Sequence, residues 1–187
     1  MATKVHKVFV SYHHANDQRY RNRFENILTE SDISVIKSVQ MGDINPGIST
    51  ETIRQKIRDD YLSDSAVTVV LVGAETWKRK HVDWEISLSL RDTQKNPRSG
   101  LLGIILPTHP DYGKNTSNSY IPNNPYIIPP RLHDNIQCKF AALYDWNENP
   151  ALIQKWIHDA FNRRKTVNPD NSRTSFANNR SGFQWQP

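Results

Sequence analysis

The chain has 187 residues and a mass of 21.6 kDa, the size of one domain or of one domain with a tail. Hydrophobic residues make up 36% and charged residues 23%, so a core can form and a fully disordered chain is excluded. The net charge is +5, and residues 162–187 supply +4 of it from five basic residues and one acidic residue. The rest of the chain is nearly neutral, which disfavours a nucleic-acid-binding surface.

The sequence also disfavours a membrane span and an internal disulfide bond. No apolar run approaches the roughly 20 residues of a membrane span, and the first seven residues lack the apolar core of a signal peptide. The single cysteine, Cys138, cannot form an internal disulfide and excludes cysteine-based zinc motifs. We therefore expect a cytoplasmic protein that binds neither membranes nor nucleic acid.

Short apolar runs predict five β-strands that alternate with helical patterns. The run at residues 66–72 is the most continuous, as expected for a central parallel strand that is buried on both faces. The other strands are predicted at residues 7–12, 33–39, 101–106 and 139–144. Helices are predicted at residues 17–31, from Ser49 or Thr50 onward, at residues 81–91 and around residues 152–161.

This alternation implies an α/β fold, a flavodoxin-like, doubly wound five-stranded parallel sheet in the order 2-1-3-4-5 with helices on both faces. Ligands bind such sheets beyond the carboxyl ends of the strands, where strands 1 and 3 are neighbours. The rule points to two loops, residues 11–17 and 73–81.

Two segments fall outside the alternation. Residues 107–137 hold six of the eleven prolines and are predicted as a long irregular, Pro/Asn-rich insertion within a domain of residues 1–165. Residues 166–187 form a polar, basic C-terminal tail with three aromatic residues. These aromatic residues are compatible with docking, but we expect the tail to be dispensable for the fold and to act in assembly.

Several enzyme signatures are absent. The seven glycines are scattered, so the sequence has neither a dinucleotide-binding fingerprint nor a Walker loop, and it has no nucleophile elbow. His13 and His14 are the only close pair among seven histidines. Adjacent side chains do not readily reach one ion, so we predict no metal site.

Three patches, in chain order, resemble the TIR domain family. Residues 7–17, KVFVSYHHAND, are similar to its Phe-Ile-Ser-Tyr box, and residues 42–47, GDINPG, match the Asp-x-x-Pro-Gly core of its BB loop. Residues 76–86, TWKRKHVDWEI, resemble the segment that holds the catalytic glutamate of the family, here Glu85. The chain length, the insertion and the VDWEI segment look like the bacterial TIR-like branch of the Thoeris antiphage system.

The resemblance implies an enzyme of antiviral defence that cleaves NAD at the nicotinamide–ribose bond. It also implies cyclisation of the ADP-ribose to a signal that activates a separate effector protein. NAD is then the substrate, and neither a retained cofactor nor a metal is needed. Self-assembly through the BB-like loop, with Asp43, Pro46 and Gly47, is a further implication.

The chemistry fits one carboxylate. Cleavage of the bond between C1′ and nitrogen develops positive charge on the ribose, as glycoside hydrolysis does. Nicotinamide leaves from a pyridinium and departs neutral, so the leaving group needs no proton. A single carboxylate can stabilise the developing charge and bind the ribose hydroxyl groups.

Glu85 is the candidate catalytic residue. It lies about one turn into a predicted helix, where His81, four residues earlier, could reach it and tune its pKa. Asp83 is two residues away and points to another side of the helix. Spacing alone favours a solvated helix glutamate, and the resemblance decides for catalysis. The candidate substrate-binding residues are Ser11, Tyr12, His13, His14, Trp77 and His81.

Each of these assignments has an alternative in which the residue has only a structural role. Residues 11–14 are also compatible with a polar strand end, followed by Asn16 or Asp17 as a helix cap, and Trp77 with packing. Two other functions stay open for the whole chain. One is a non-catalytic TIR-like adaptor, and the other is a nucleoside deoxyribosyltransferase-like enzyme that would also use a carboxylate at ribose C1′.

Overall fold

A computed structural model of the chain describes residues 6–31, 35–36 and 47–187. Its core is a parallel sheet in the order β2-β1-β3-β4-β5. The strands are β1 (Val8–Ser11), β2 (Val35–Ile36), β3 (Val67–Val72), β4 (Gly100–Ile105) and β5 (Ala141–Asp145). The α/β class and the parallel sheet are confirmed.

The second strand is described for two residues only, which pair in parallel with Val8 and Phe9 of β1. Most of the predicted strand at residues 33–39 lies outside the described residues. The same holds for Asp43 and Pro46 of the BB-like loop, so their predicted roles stay predictions. Gly47 is described and is exposed.

Helices connect the strands and cover both faces of the sheet. They are α1 (His14–Glu30), α2 (Thr50–Lys56), α3 (Lys80–Ser89), α4 (Pro130–Gln137) and α5 (Pro150–Thr166). A π-helical turn, Ile57–Leu62, continues α2. None of the described helices is long and apolar enough to cross a bilayer.

Alternate residues of β3 pack against the helices on the two faces of the sheet, because successive side chains of a strand point to opposite faces. Val69 and Leu71 pack in the cluster that contains α1 and α5. Val70 and Val72 pack against α3 and α4. All six residues of β3 are buried, as the continuous apolar run predicts. The packing fixes the start of α3 at the carboxyl edge of the sheet.

The prediction of an irregular segment over residues 107–137 is wrong for its last part. Pro129 is the N-cap and Pro130 the first residue of a regular helix, α4, whose Leu132 and Ile136 are fully buried against the sheet. Proline at the first position of a helix is favourable because its missing N–H has no intrahelical partner there.

The C-terminal segment, residues 167–187, packs onto the body. Phe176 and Trp185 are buried, whereas Phe183 is 99% exposed. The Trp185 indole donates a hydrogen bond to the carbonyl oxygen of Ile128 at 2.8 Å. The segment therefore docks, because two large aromatic side chains are buried and one of them gains a hydrogen-bond partner, and its predicted dispensability for the fold stays a prediction.

Candidate active site at the carboxyl edge of the sheet

A buried hydrogen bond joins β1 to α3 at the predicted ligand edge. Ser11 is the last residue of β1, and its hydroxyl donates to Oε2 of Glu85 at 2.5 Å. Glu85 lies in the second turn of α3. Ser11 is fully buried and Glu85 is 2% exposed. Strand 1 and the helix after strand 3 thus place a hydroxyl and a carboxyl group at one point.

Burial dominates the acidity of this carboxyl group. Loss of solvent raises the pKa of Glu85 to about 8, and the hydrogen bond from Ser11 opposes that shift. At pH 7 the group is therefore mostly protonated. A cationic ligand beside it would favour the ionised form, because an opposite charge lowers the pKa of a carboxyl group.

Three imidazoles lie at the same edge. The Nδ1 atom of His13 accepts a hydrogen bond from the Asn16 amide at 3.1 Å, so Nε2 carries the proton of the neutral ring. Desolvation lowers the pKa of His14 to about 4, with His81 and His13 adding to the effect. Desolvation also lowers the pKa of His13 and of His81. All three rings are neutral at pH 7 and suited to hydrogen bonds with hydroxyl groups.

The expected influence of His81 on Glu85 is not what the structure shows. The His81 ring stands edge-on to Trp84, with ring centroids 5.4 Å apart. The pKa of Glu85 responds to burial and to Ser11 instead. His81 acts electrostatically on His14, which places it among the edge residues.

Tyr12 and Trp77 are packing residues. Tyr12 is 1% exposed and its hydroxyl donates to Oε1 of Gln18 at 2.6 Å, while one face of its ring stacks on His14. Trp77 is 1% exposed in a cluster with Ile127 and Trp185. Neither ring has an exposed face on which a substrate could stack. The predicted contacts of Tyr12 and Trp77 with a substrate therefore stay predictions.

Asp17 is a buried acid of this edge. From the sequence it is a candidate cap of α1, but His13 occupies the cap position. Asp17 is 1% exposed, and its Oδ1 accepts a hydrogen bond from Thr108 at 3.1 Å. Oδ2 is buried without a hydrogen-bond partner in the described part of the chain, and desolvation raises the pKa of the group. The available sequence signal was an acidic residue at the start of the helix that follows β1.

Asp17 also packs tightly against Gly73, the first residue after β3. A Cβ atom at position 73 would lie 2.1 Å from Oδ2 of Asp17. With Thr108, which follows β4, this contact joins the loops after three neighbouring strands. Close approach of the backbone explains the glycine at this position.

Asp83 belongs to a separate network, as its helix position predicts. It forms a buried ion pair with Arg131 of α4, with Nε and Oδ1 2.9 Å apart. Its Oδ2 accepts a hydrogen bond from the amide of Phe176 at 2.9 Å. No local pattern identifies Arg131 as its partner, because the two residues are 48 positions apart in the chain.

The described residues hold no group of three or more His, Cys, Asp or Glu side chains that could bind a metal ion. Glu75, in the loop after β3, is engaged by Lys78 at 2.8 Å, and this contact lowers its pKa. Glu85 and Asp17 are thus both buried carboxyl groups of this edge without an ion pair among the described residues, and Glu85 is the one that accepts a hydrogen bond from the last residue of β1.

Comparison with known families gives a match over residues 9–111, which is more than half of the chain, to the family described as Thoeris protein ThsB, TIR-like domain. The chain belongs to this ThsB TIR-like family. The matched span includes Ser11, His14 and Glu85, whereas α4, α5 and the C-terminal segment of this ThsB-family chain lie beyond it.

Two further comparisons complete this result. One similar solved structure contains the TIR domains of the activated Roq1 resistosome that directly recognises the pathogen effector XopQ. It is 16% identical over 60% of this chain, with a TM-score of 0.39, and this chain spans 64% of the length of that chain. No curated protein matches.

Proposed function

We propose that this ThsB-family protein is a cytoplasmic enzyme that cleaves NAD at the nicotinamide–ribose bond and cyclises the ADP-ribose product. The product would activate a separate effector protein in antiviral defence. The observation that carries the proposal is the buried Ser11–Glu85 pair at the carboxyl edge of a sheet of order 2-1-3-4-5. Family membership supports it, because TIR domains in defence are often NAD-cleaving enzymes.

Glu85 would stabilise the positive charge that develops on the ribose. When the C1′–N bond breaks, its electron pair leaves with nicotinamide, which becomes neutral. The cationic nicotinamide riboside part of NAD would favour the ionised form of Glu85 on binding, despite its pKa of about 8. A carboxylate in a site shielded from water interacts strongly with such charge.

Cyclisation completes the reaction. A hydroxyl group of the adenosine half of the same NAD molecule attacks C1′ and releases one proton. NAD is thereby converted to nicotinamide, cyclic ADP-ribose and a proton, and no further reactant is consumed. The neutral imidazoles of His13, His14 and His81 are suited to orient the ribose hydroxyl groups.

The isolated protein should turn over slowly. Glu85 is 2% exposed, so NAD has to gain access through a rearrangement of the edge. An apparent rate falls with the fraction of molecules in a competent state. We therefore expect activity to rise with protein concentration or with lysate from infected cells, and substitution of Pro46 or Gly47 to lower the triggered activity. Constant specific activity in dilute, lysate-free protein would contradict this.

The test is free nicotinamide, measured by chromatography after incubation of the pure protein with NAD. We expect Glu85→Gln to lower the rate by about 10²–10³, because one preorganised electrostatic contact is lost. The matched control is Glu148→Gln, an exposed carboxylate paired with Arg23, which should keep the wild-type rate. Equal rates for Glu85→Gln and the wild type would contradict the assignment.

The fold of Glu85→Gln can be checked by its melting temperature. Because the folded pKa of Glu85 is above the ordinary 4.5, the folded state holds more protons between pH 4.5 and 8. The contribution of protonated Glu85 to the free energy of unfolding is therefore lost as the pH rises through this window. The variant should be at least as stable as the wild type at pH 8.

Deoxynucleosides in the same assay separate the alternatives. Release of base from a deoxynucleoside would indicate a deoxyribosyltransferase-like enzyme, and no cleavage of either compound under triggered conditions would indicate an adaptor. Mass spectrometry of small molecules from infected cells that express the protein tests the cyclic product.

A further inference from the structure

The helix that carries Glu85 begins without a cap from its own loop. Arg79 occupies the N-cap position of α3, and its side chain makes no capping hydrogen bond. The first amides of a helix lack intrahelical partners, so an acceptor has to come from elsewhere. The Oδ1 atom of Asn179 accepts a hydrogen bond from the amide of Lys80, the first residue of α3, at 3.0 Å.

Further hydrogen bonds hold the residues on both sides of this cap. The amide of Arg180 donates to the carbonyl oxygen of Lys78 at 2.7 Å. The amide of Phe176 donates to Asp83, and its carbonyl oxygen accepts from the Trp84 indole at 2.8 Å. The side-chain amide of Asn171 also donates to the carbonyl oxygen of Ser87 at 3.0 Å, so the C-terminal segment contacts α3 on both sides of Glu85.

The C-terminal segment is itself anchored on α4. Arg173 makes two hydrogen bonds to the carboxylate of Asp134, at 2.7 and 2.8 Å. The buried guanidinium of Arg131 donates to Asn171 at 2.7 Å and to the carbonyl oxygen of Arg173 at 2.8 Å. These anchors lie on a different helix from Glu85, so the segment is a fixed support for α3.

We propose that Asn179 is a positioning residue for Glu85, and that the C-terminal segment completes the candidate site from outside the family-matched part of the chain. The inference rests on the proposed function where it concerns the reaction. The placement of Glu85, however, can be measured without substrate.

The expected effect follows from geometry. Glu85 lies five residues after Lys80, so fraying of the first turn of α3 would shift its carboxyl group relative to Ser11. Displacements of about 1 Å can lower a rate by about 10²-fold. Asn179 is exposed, so its truncation leaves the core intact and the effect is not caused by unfolding.

The experiment compares Asn179→Ala, Asn179→Asp and Asn149→Ala with the wild type, all in the full chain. Asn149 caps α5 by accepting from the amides of Ala151 and Leu152, so its truncation is a matched cap loss at a distant helix. The two readouts are kcat for NAD cleavage and the NMR titration of the Glu85 carboxyl carbon, whose signal is identified by its absence in Glu85→Gln.

At pH 9, where Glu85 is mostly ionised in both proteins, we expect Asn179→Ala to lower kcat about five- to tenfold with little change in KM. Its Glu85 titration should move from a midpoint of about 8 toward the ordinary 4.5, because a shifted carboxyl group regains solvent. Asn179→Asp keeps an acceptor at the cap and should restore both values. Asn149→Ala should lower the melting temperature about as much as Asn179→Ala does. It should leave kcat and the Glu85 midpoint at the wild-type level.

Two outcomes are decisive. If Asn179→Ala matches Asn149→Ala in kcat and in the Glu85 titration, the proposal is overturned. If the wild type cleaves no NAD under any condition, the proposed function fails, and the titration alone decides whether Asn179 positions Glu85.

Discussion

The hydroxyl group of Ser11 and the burial of Glu85 have opposite effects on one proton. Burial favours the neutral acid, and the hydrogen bond from Ser11 favours the carboxylate. Without that hydroxyl group, burial would act alone and raise the pKa of Glu85 above the present value of about 8. Ser11 therefore extends the pH range in which the carboxylate exists.

A pH profile of NAD cleavage tests this balance. The rate should require ionised Glu85, so kcat/KM of the wild type should increase with pH through a midpoint near 8. In Ser11→Ala we expect the midpoint at higher pH and a rate at pH 7 that is several-fold lower.

Ser99→Ala is the matched control, since Ser99 is also buried and donates one hydrogen bond, to the carbonyl oxygen of Ser65 at 3.1 Å. Its profile should coincide with that of the wild type. Identical midpoints for Ser11→Ala and the wild type would show that the hydroxyl group does not set the acidity of Glu85.

At the scale of elements, the contact between Asp17 and Gly73 links α1 to the loop that leads into α3. We expect Gly73→Ala to lower the free energy of unfolding by about 1–3 kcal/mol or more, because the added methyl group overlaps the carboxylate. In an Asp17→Ala background the same change should cost less.

The double-mutant cycle measures this coupling by chemical denaturation, and we expect about 1 kcal/mol or more for groups in direct contact. Additive costs for Gly73→Ala and Asp17→Ala would mean that the loop, and not the carboxylate, absorbs the methyl group.

Elements with a clear period could be predicted from the sequence. The apolar run of β3 was identified and the start of α2 was assigned to Ser49 or Thr50, of which Ser49 is the cap, because each feature depends on neighbouring residues. Helix α4 was not, since the prolines and asparagines before it are typical of loops. Its apolar face consists of only two residues, Leu132 and Ile136. They can be recognised as a buried face only when the sheet that they pack against is known.

The candidate site shows the same division. Glu85 and Ser11 could be predicted because motifs and strand ends are local features of the chain. Asn179 and Arg131 could not, because their roles depend on partners 99 and 48 residues away. No periodicity or turn pattern carries information on such pairs.

At the scale of the whole molecule, the C-terminal segment should contribute to stability. We expect truncation after Thr166 to lower the melting temperature on the order of 10 °C, because Phe176 and Trp185 leave buried positions and Arg131 loses two acceptors. Circular dichroism measures the transition.

Point variants separate burial from chain length. Phe176→Ala should also melt at a lower temperature, and Phe183→Ala, whose ring is 99% exposed, should melt with the wild type. A truncated chain with an unchanged melting temperature would support the interpretation of a dispensable tail.

The distance along the chain between Lys80 and its cap has a consequence for biosynthesis. The amide of Lys80 is made 99 residues before Asn179. At about 5–20 residues per second, the ribosome needs roughly 5–20 s to add that length of chain. During this interval Glu85 already exists while its support does not. The order of translation thus separates the synthesis of the candidate catalytic residue from its placement.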